Sequence, residues 1–497
     1  MTYPNPLIPG FHPDPSVVKV EADYYLATST FEYLPGIPVF HSTDLVSWEL
    51  IGHVVERPGQ LASDVPTNGG AWAPTIRHRD GTFFVVVTDA MGRGMLVFTA
   101  DSPRGPWSDG IVVDGVHGID PDLAWDDDGT AYITYSGLDT TSGERFGGHG
   151  GIRQVTVDLD TGKPLSAPRQ LWSGTGLKFP EAPHLYRHDG HWYLMIAEGG
   201  TERGHGISVA RGTAPDGPFE GGPGNPVVSA RSTSRVVQNT GHGDLVQAPD
   251  GSWAVVMLGM RPAGATQAFS ALGRETFITA ARWEAGWLAI DPVELAPRDD
   301  GFGFTDDFAG PALSPEWIGV RRFPSDLAHI PSAGRLVLTG DGSTMDDPQP
   351  VFVGRRQRHR RFEASVTVTA GAGIGGLAVR FDELHHYEVE VAGGTVVARG
   401  VVAGLRQEWT CAAPAETVTL HLGCVPPSGS RMLDVLTSDI VVLGVSGAGA
   451  GRRELARLDG RYLSQETAAS FTGRILGLYA VSGEVSFAEF RYEGIES

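Results

Sequence analysis

The chain has 497 residues, too many for one ordinary hydrophobic core, and two domains or at most three are expected. Its 38 Lys and Arg against 59 Asp and Glu leave a formal charge of −21, which repels phosphate backbones and anionic lipid surfaces and argues for a neutral or cationic partner. No apolar run reaches the length of a membrane span and the opening MTYPNPLIPG has neither a basic nor an apolar signal region, so a cytoplasmic protein is expected.

The first informative stretch is FHPDPS, Phe11 to Ser16. Proline fixes its own φ and pushes the preceding residue toward extended backbone, so Pro13 and Pro15 hold His12 and Asp14 away from the helical region. The carboxylate is aimed rather than loose. An isolated Asp-Pro pair is ordinarily a surface turn, but the rest of the chain argues for more.

From there to about residue 300 one theme recurs. DGTFFVVVT from Asp80, DGTAYITYS from Asp128, DGHWYLMIA from Asp189 and DGSWAVVML from Asp250 each set a Gly-containing turn before aromatic and β-branched residues, with EADYYLATS from Glu21 as a variant. Asp-Gly between apolar runs is a strong hairpin signal, and five hairpins are implied. The four Asp-Gly turns are spaced 48, 61 and 61 residues, the length of a four-stranded sheet with its loops. Sheets repeated radially about an axis make a β-propeller.

Upstream of these turns the residues align. Trp72, Asp120, Glu181 and His242 each stand eight residues before the Asp of their turn, and Asp14 stands nine before Asp23. Eight residues is a strand of ordinary length. If that strand is the innermost of each blade, Asp14, Trp72, Asp120, Glu181 and His242 converge at one rim of the central channel. Carboxylates crowded in a partly desolvated pocket cannot all ionise, so one keeps its proton beside another that has lost it. An acid beside a base suits inverting glycoside hydrolysis, in which one carboxylic acid protonates the glycosidic oxygen and a second carboxylate activates water.

The motifs NPLIPGFHPDPS, GGAWAPTIRH, GIDPDLAWDDDG, FPEAPHLY, NTGHGDLV and LGRETF, in that order from Asn5 to Phe277, resemble the glycoside hydrolase family 43 β-xylosidases and α-L-arabinofuranosidases. The resemblance implies a five-bladed β-propeller and exo-acting, inverting release of a terminal pentose. It implies Asp14 as general base, Glu181 as general acid and Asp120 as the residue that tunes and orients the acid. His242 and Arg274 are expected to hold the sugar, with Trp72 and Phe31 as apolar walls. A pocket of that kind favours a pentose over a hexose, and short β-1,4-linked xylo-oligosaccharides are the expected small-molecule partner. Arabinofuranosides are the alternative, because one displaced side chain decides between two pentoses. A non-catalytic carbohydrate-binding propeller, and a retaining hydrolase with closer carboxylates, are the other readings.

No cofactor is expected to be required. A structural divalent cation such as calcium near His242 is the lesser alternative to a sugar contact there. Asp122, two residues beyond Asp120, stands where the resemblance would place a small residue. Alternation along a strand puts it on the same face as Asp120, where it would either raise the local acidity or bind a cation.

The stretch PVELAPRDDGFGFTDDF marks the expected boundary, with domains over 1–300 and 304–497. Beyond it, FEASVTVTAG, GLAVRFDELHHYEVEVAGGTVVARG and AETVTLHLGC alternate apolar and polar residues between Gly turns, as antiparallel sandwich strands do. The whole is therefore expected to be all-β. The second part resembles the concanavalin-like β-sandwich that follows the propeller in many of these xylosidases and leans a loop over the active site. Phe471 in SFTGRILGLY is then a candidate cap on the sugar pocket, with a core strand position as the plainer alternative. The run RRQRHRR, Arg355 to Arg361, reads as a solvated strand face or an interdomain contact rather than a nucleic-acid patch. Cys411 and Cys424 form no metal motif and read as small core hydrophobes. A homo-oligomer is compatible with all of this.

Overall fold

The computed structural model describes residues 3–139, 148–296, 303–429, 432–447, 449 and 451–495. Its regular structure is almost all strand, and among the described residues the α-helices are the single turns Pro324–Leu327 and Gln465–Ala468. None is long and apolar enough to cross a membrane. Five antiparallel sheets of four or five strands follow one another and open with the strands Ser16–Val20, Gly70–Arg79, Gly118–Trp125, Glu181–His188 and Gln238–Gln247. Each of these opening strands lies against its counterparts in the blades on either side, and the fifth lies against the first, which closes a ring. The fold is the expected five-bladed propeller.

The turns explain why the hairpins form where they do. Asp80 and Gly81 have φ of 51° and 83°, and Asp189 and Gly190 have 46° and 75°, the paired left-handed conformation of a two-residue hairpin. Each junction between neighbouring blades has its own apolar cluster. Ile76 and Val85 pack with Ile37 and Val39 between the first and second, and Leu123 and Ile133 with Val86 and Val97 between the second and third. Leu185 and Leu194 meet Ile152 between the third and fourth, and Val255 and Met257 meet Ile207 and Val209 between the fourth and fifth. Ring closure rests on the N-terminal segment. Asn5 donates to the carbonyl of Ile278 at 2.8 Å and accepts from its amide at 3.0 Å, while Leu26 and Val256 share the last junction.

The linker within 297–302 lies outside the described residues, and so does part of the expected boundary. The propeller's last strand is Trp287–Ile290 and the first strand after the linker is Phe304–Asp306. The second domain is a β-sandwich bent around one long strand, Ile475–Gly494, which pairs with five others along its 20 residues. Its core, including Val366, Leu377, Leu420, Leu443 and Leu478, is fully buried. Cys411 and Cys424 are buried free thiols, in keeping with their reading as core hydrophobes.

The two domains are built into one another. The propeller strand Tyr33–Leu34 pairs with the sandwich strand Ile318–Val320, and Phe11, Phe31 and Tyr33 share a cluster with Ile318, Phe352 and Ile475. In the basic run, Arg355, Arg356, Gln357 and His359 are buried. Arg356 lies over the Phe11 ring at 5.5 Å, and Arg261 of the propeller donates to the Arg358 carbonyl at 3.3 Å. The run is an interdomain contact; the alternative of a solvated strand face is excluded by this burial.

Candidate active site

Near the head of each innermost strand a residue adopts left-handed backbone, Asp14 (φ 55°), Ala73 (46°), Asp120 (54°), Ala182 (51°) and His242 (46°), and the fifth strand has Asn239 (55°) in addition. Strand pairing skips at four of these places, between Trp72 and Thr75, Ile119 and Asp122, Glu181 and His184, and Gly241 and Gly243. These are β-bulges, which re-aim side chains beside functional sites. A non-glycine residue held there costs roughly 1–3 kcal/mol and persists only where its surroundings impose it.

The spacing corrects one sequence expectation. Asp14, Ala73, Asp120, Ala182 and His242 each lie seven residues before the first turn residue of their hairpin, which are Glu21, Asp80, Asp127, Asp189 and Pro249. Counting from the Asp-Gly pairs placed Trp72 and Glu181 in phase with the others, but they stand one residue ahead of the strained position. The cause is that two hairpins turn a residue earlier than their Asp-Gly motif, at 127–128 and 249–250. All five side chains nevertheless reach one cavity. Asp14, Trp72, Asp120, Glu181 and His242 line it, joined by Phe31, Arg274 and Phe471. The cavity is small, about 70 Å³, and a roomier one of about 650 Å³ shares Thr201 and Phe471 with it.

The three carboxylates are treated differently. Asp14 accepts from Ser29 Oγ at 2.6 Å and from Arg274 Nη1 at 3.0 Å, with His242 Nδ1 3.5 Å away. Burial works against its charge, but Arg274, His242 and Ser29 outweigh burial and hold it below the ordinary carboxylate range. Asp120 accepts from the Ala182 amide at 3.1 Å; burial first, and then the charge of Asp14, push it up to about 7. Glu181 is raised well above the ordinary value by burial and by the charges of Asp120 and Asp14. At neutral pH the cavity thus holds one ionised carboxylate beside a raised pair that retains a proton. Burial keeps His205 and His242 neutral, lowered to about 4 and about 3.

The walls are aromatic and come from both domains. Phe31 stacks on Phe471 with centroids 5.9 Å apart, Trp72 meets Phe471 edge-on at 5.5 Å, and the Arg274 guanidinium lies 5.4 Å from the Phe31 ring and 5.5 Å from that of Phe471. Phe471 therefore lines the pocket and lies outside the strand Ile475–Gly494. Asn68 fastens this arrangement. Its carbonyl accepts from Trp72 Nε1 at 2.7 Å, and its side-chain oxygen accepts from Ser470 Oγ and the Phe471 amide, both at 2.8 Å.

Asp122 does not join the pocket. The bulge at Asp120 breaks the alternation that would have put the two on one face, and Asp122 turns to the propeller axis below. There Arg77 Nη2 donates to Asp122 at 2.7 Å and Nη1 to Asp244 at 2.8 Å, with Ser16 Oγ at 3.1 Å and His184 Nδ1 at 3.0 Å. Tyr186 donates to Asp244 at 2.6 Å. Every innermost strand contributes to this buried knot. The cation that Asp122 binds is a guanidinium, and Asp122 is held below its ordinary value because Arg77 and His184 outweigh its burial. Among the described residues no three His, Cys, Asp or Glu are grouped to hold a metal.

Sequence reasoning missed His205 and Thr201, which line the cavity from outside the innermost strands, and Asn68, Ser29 and Arg77, which act on others. His205 precedes the strand Gly206–Gly212, the third of its blade, so no count along the opening strands reaches it.

Comparison with known proteins agrees with this geometry. The profile of glycosyl hydrolases family 43 matches residues 3–288, and that of a β-xylosidase C-terminal concanavalin A-like domain matches 305–493. A non-reducing-end α-L-arabinofuranosidase of Bacteroides ovatus is 34% identical over 96% of this chain and 91% of its own length. A β-xylosidase of Bacillus subtilis is 31% identical over 74% of each. Among solved structures, a xylan β-1,4-xylosidase of Bacillus halodurans superposes with a TM-score of 0.86 at 29% identity, covering 99% of this chain and 100% of that one.

Proposed function

This chain belongs to glycosyl hydrolase family 43, and on that premise we propose that it removes terminal β-1,4-linked D-xylose from short xylo-oligosaccharides by a single inverting displacement. The observation that carries the reading is the division of charge in one cavity, where Asp14 is paired with a cation and Glu181 is not.

In this mechanism the terminal sugar sits among Trp72, Phe31 and Phe471. Asp14, ionised, takes a proton from water as its oxygen attacks the anomeric carbon. Glu181 gives its proton to the glycosidic oxygen, so the leaving sugar departs as a neutral alcohol. The water's oxygen ends on the opposite face of the ring, which inverts the anomeric centre. Asp120 keeps the acid protonated by its charge, and its bond from the Ala182 amide fixes it to the strand that carries Glu181. Arg274 and His242 hold Asp14 in place and face the sugar hydroxyls. Phe471 closes the pocket over a chain end, which favours exo action.

A second reading is α-L-arabinofuranosidase activity, favoured by the Bacteroides ovatus relative that aligns with nearly all of the chain. Paired kinetics on nitrophenyl β-D-xyloside and nitrophenyl α-L-arabinofuranoside test the choice. Xyloside is expected to have the higher kcat/KM, and a preference for arabinofuranoside replaces the first reading with the second. No turnover of either, by protein that is folded, contradicts both.

A further inference from the structure

We infer that His205 is a sugar-binding residue, whose ring Nε2 accepts a hydrogen bond from one hydroxyl of the terminal sugar beside Glu181. The inference rests on the proposed glycosidase reading and adds to it a specificity-determining group.

The argument starts from the tautomer. His205 Nδ1 lies 3.0 Å from the Asn239 carbonyl oxygen, which can only accept, so Nδ1 carries the proton. In a neutral imidazole the other nitrogen is then an acceptor. Burial and the nearby charge of Arg274 oppose a second proton, whereas Asn239 and Asp14 favour it; the result is a pKa lowered to about 4. Nε2 is thus a lone pair at neutral pH.

That lone pair has no partner. His205 is 1% exposed, Nε2 makes no hydrogen bond, and yet the residue lines the sugar cavity with Nε2 3.9 Å from Glu181 Oε1. Leaving a buried acceptor unpaired is costly because its lost hydration is not replaced, so the position is one that a ligand is suited to complete. The ring is also built in. Gly241 runs against it so closely that a Cβ there would fall 2.4 Å from the imidazole, and the Ser229 hydroxyl donates to the His205 carbonyl at 2.7 Å. Arg274 supplies the complementary atom, since its Nε–H is buried without an acceptor in the same cavity. One donor and one acceptor, both fixed and both unfilled, match the hydroxyls of a sugar, each of which can give and take a hydrogen bond. A site made to bind a hydroxyl discriminates strongly against an analogue that lacks it.

The test uses the full-length enzyme, the nitrophenyl pentoside it turns over fastest, and the monodeoxy analogues of that pentoside. Wild type is expected to lose roughly 10-fold or more in kcat/KM on at least one analogue. His205→Phe, which keeps a ring and removes the acceptor, should lose activity on the parent and show little further loss on that same analogue. His205→Gln, which offers an amide oxygen, should retain part of the discrimination. Competitive inhibition by the free pentose should weaken in the Phe variant. If wild type discriminates against no analogue, or if His205→Phe keeps the full wild-type penalty on every one, the inference is overturned. Failure of wild type to hydrolyse the parent pentoside is a different result and removes the glycosidase reading itself.

Discussion

Arg274 Nη1 stands 3.0 Å from Asp14 Oδ1, and no ion pair joins Arg274 to Glu181. One guanidinium thereby separates two carboxylates that share a cavity into a base and an acid. The pH dependence follows with definite signs. Asp14 must be ionised and its pKa is depressed, so the acid limb of kcat/KM lies below the ordinary aspartate value of about 3.9. Glu181 must be protonated and its pKa is raised, so the alkaline limb lies above the ordinary glutamate range. Asp120→Asn removes a negative charge that holds the acid's proton, and the alkaline limb should move to lower pH. Arg274→Gln removes the cation beside Asp14, and the acid limb should move to higher pH. Profiles of kcat/KM for wild type and both variants check this; unmoved limbs contradict it.

Leaving groups separate acid from base. Glu181→Ala should reduce kcat on xylobiose by about 10²–10⁴-fold, the usual worth of general acid catalysis, and reduce it much less on a dinitrophenyl xyloside that needs no protonation. Asp14→Ala should be equally slow on both. Equal losses on the two substrates in the Glu181 variant contradict its role.

The aromatic walls depend on Asn68, because one residue holds Trp72 and Phe471 from opposite domains. Asn68→Ala removes two acceptor bonds of about 1 kcal/mol each. The expected result is a rise in KM of roughly an order of magnitude, since 1.4 kcal/mol is tenfold, with a smaller change in kcat. Asn68→Asp retains the acceptor and should recover most of the loss. Steady-state kinetics with a melting curve for each variant distinguish a slack wall from a weakened fold.

Much of this was open to reading in the chain. Asp-Gly turns before β-branched runs fix hairpins by local backbone chemistry, and five of them with intervening loops leave a propeller as the natural closure. Asp14, Asp120, Glu181 and His242 were found because repetition puts them at one end of equivalent strands. Phase within the bulge was not legible, since Asp127 and Pro249 begin their turns one residue before the motif that advertises them. Asp122 was misplaced for the same reason: alternation holds only where the backbone stays extended, and Asp120 at φ 54° does not. Arg77, Asn68 and His205 act across strands far apart in the chain, and no local pattern announces such partners.

The hub itself is testable as stability. Arg77 is paired with two buried carboxylates, and Arg77→Leu should cost about 3–5 kcal/mol by leaving Asp122 and Asp244 uncompensated. Both carboxylates have folded pKa values below the unfolded one, so their contribution is present above about pH 4 and is lost as pH falls toward the folded values. Denaturant titrations at pH 7 and at about pH 2.5, below the unfolded carboxylate value, should show the variant's deficit shrinking at the lower pH. A deficit that does not change between them contradicts the assignment.

The most direct measurement is the configuration of the first sugar released. Proton NMR during hydrolysis of xylobiose or a nitrophenyl β-D-xyloside, recorded before mutarotation, should show α-xylose appearing first, because water activated by Asp14 attacks the face opposite the bond that Glu181 protonates. Initial release of β-xylose would mean that a carboxylate attacks the sugar itself, and the division of labour between Asp14 and Glu181 would be wrong.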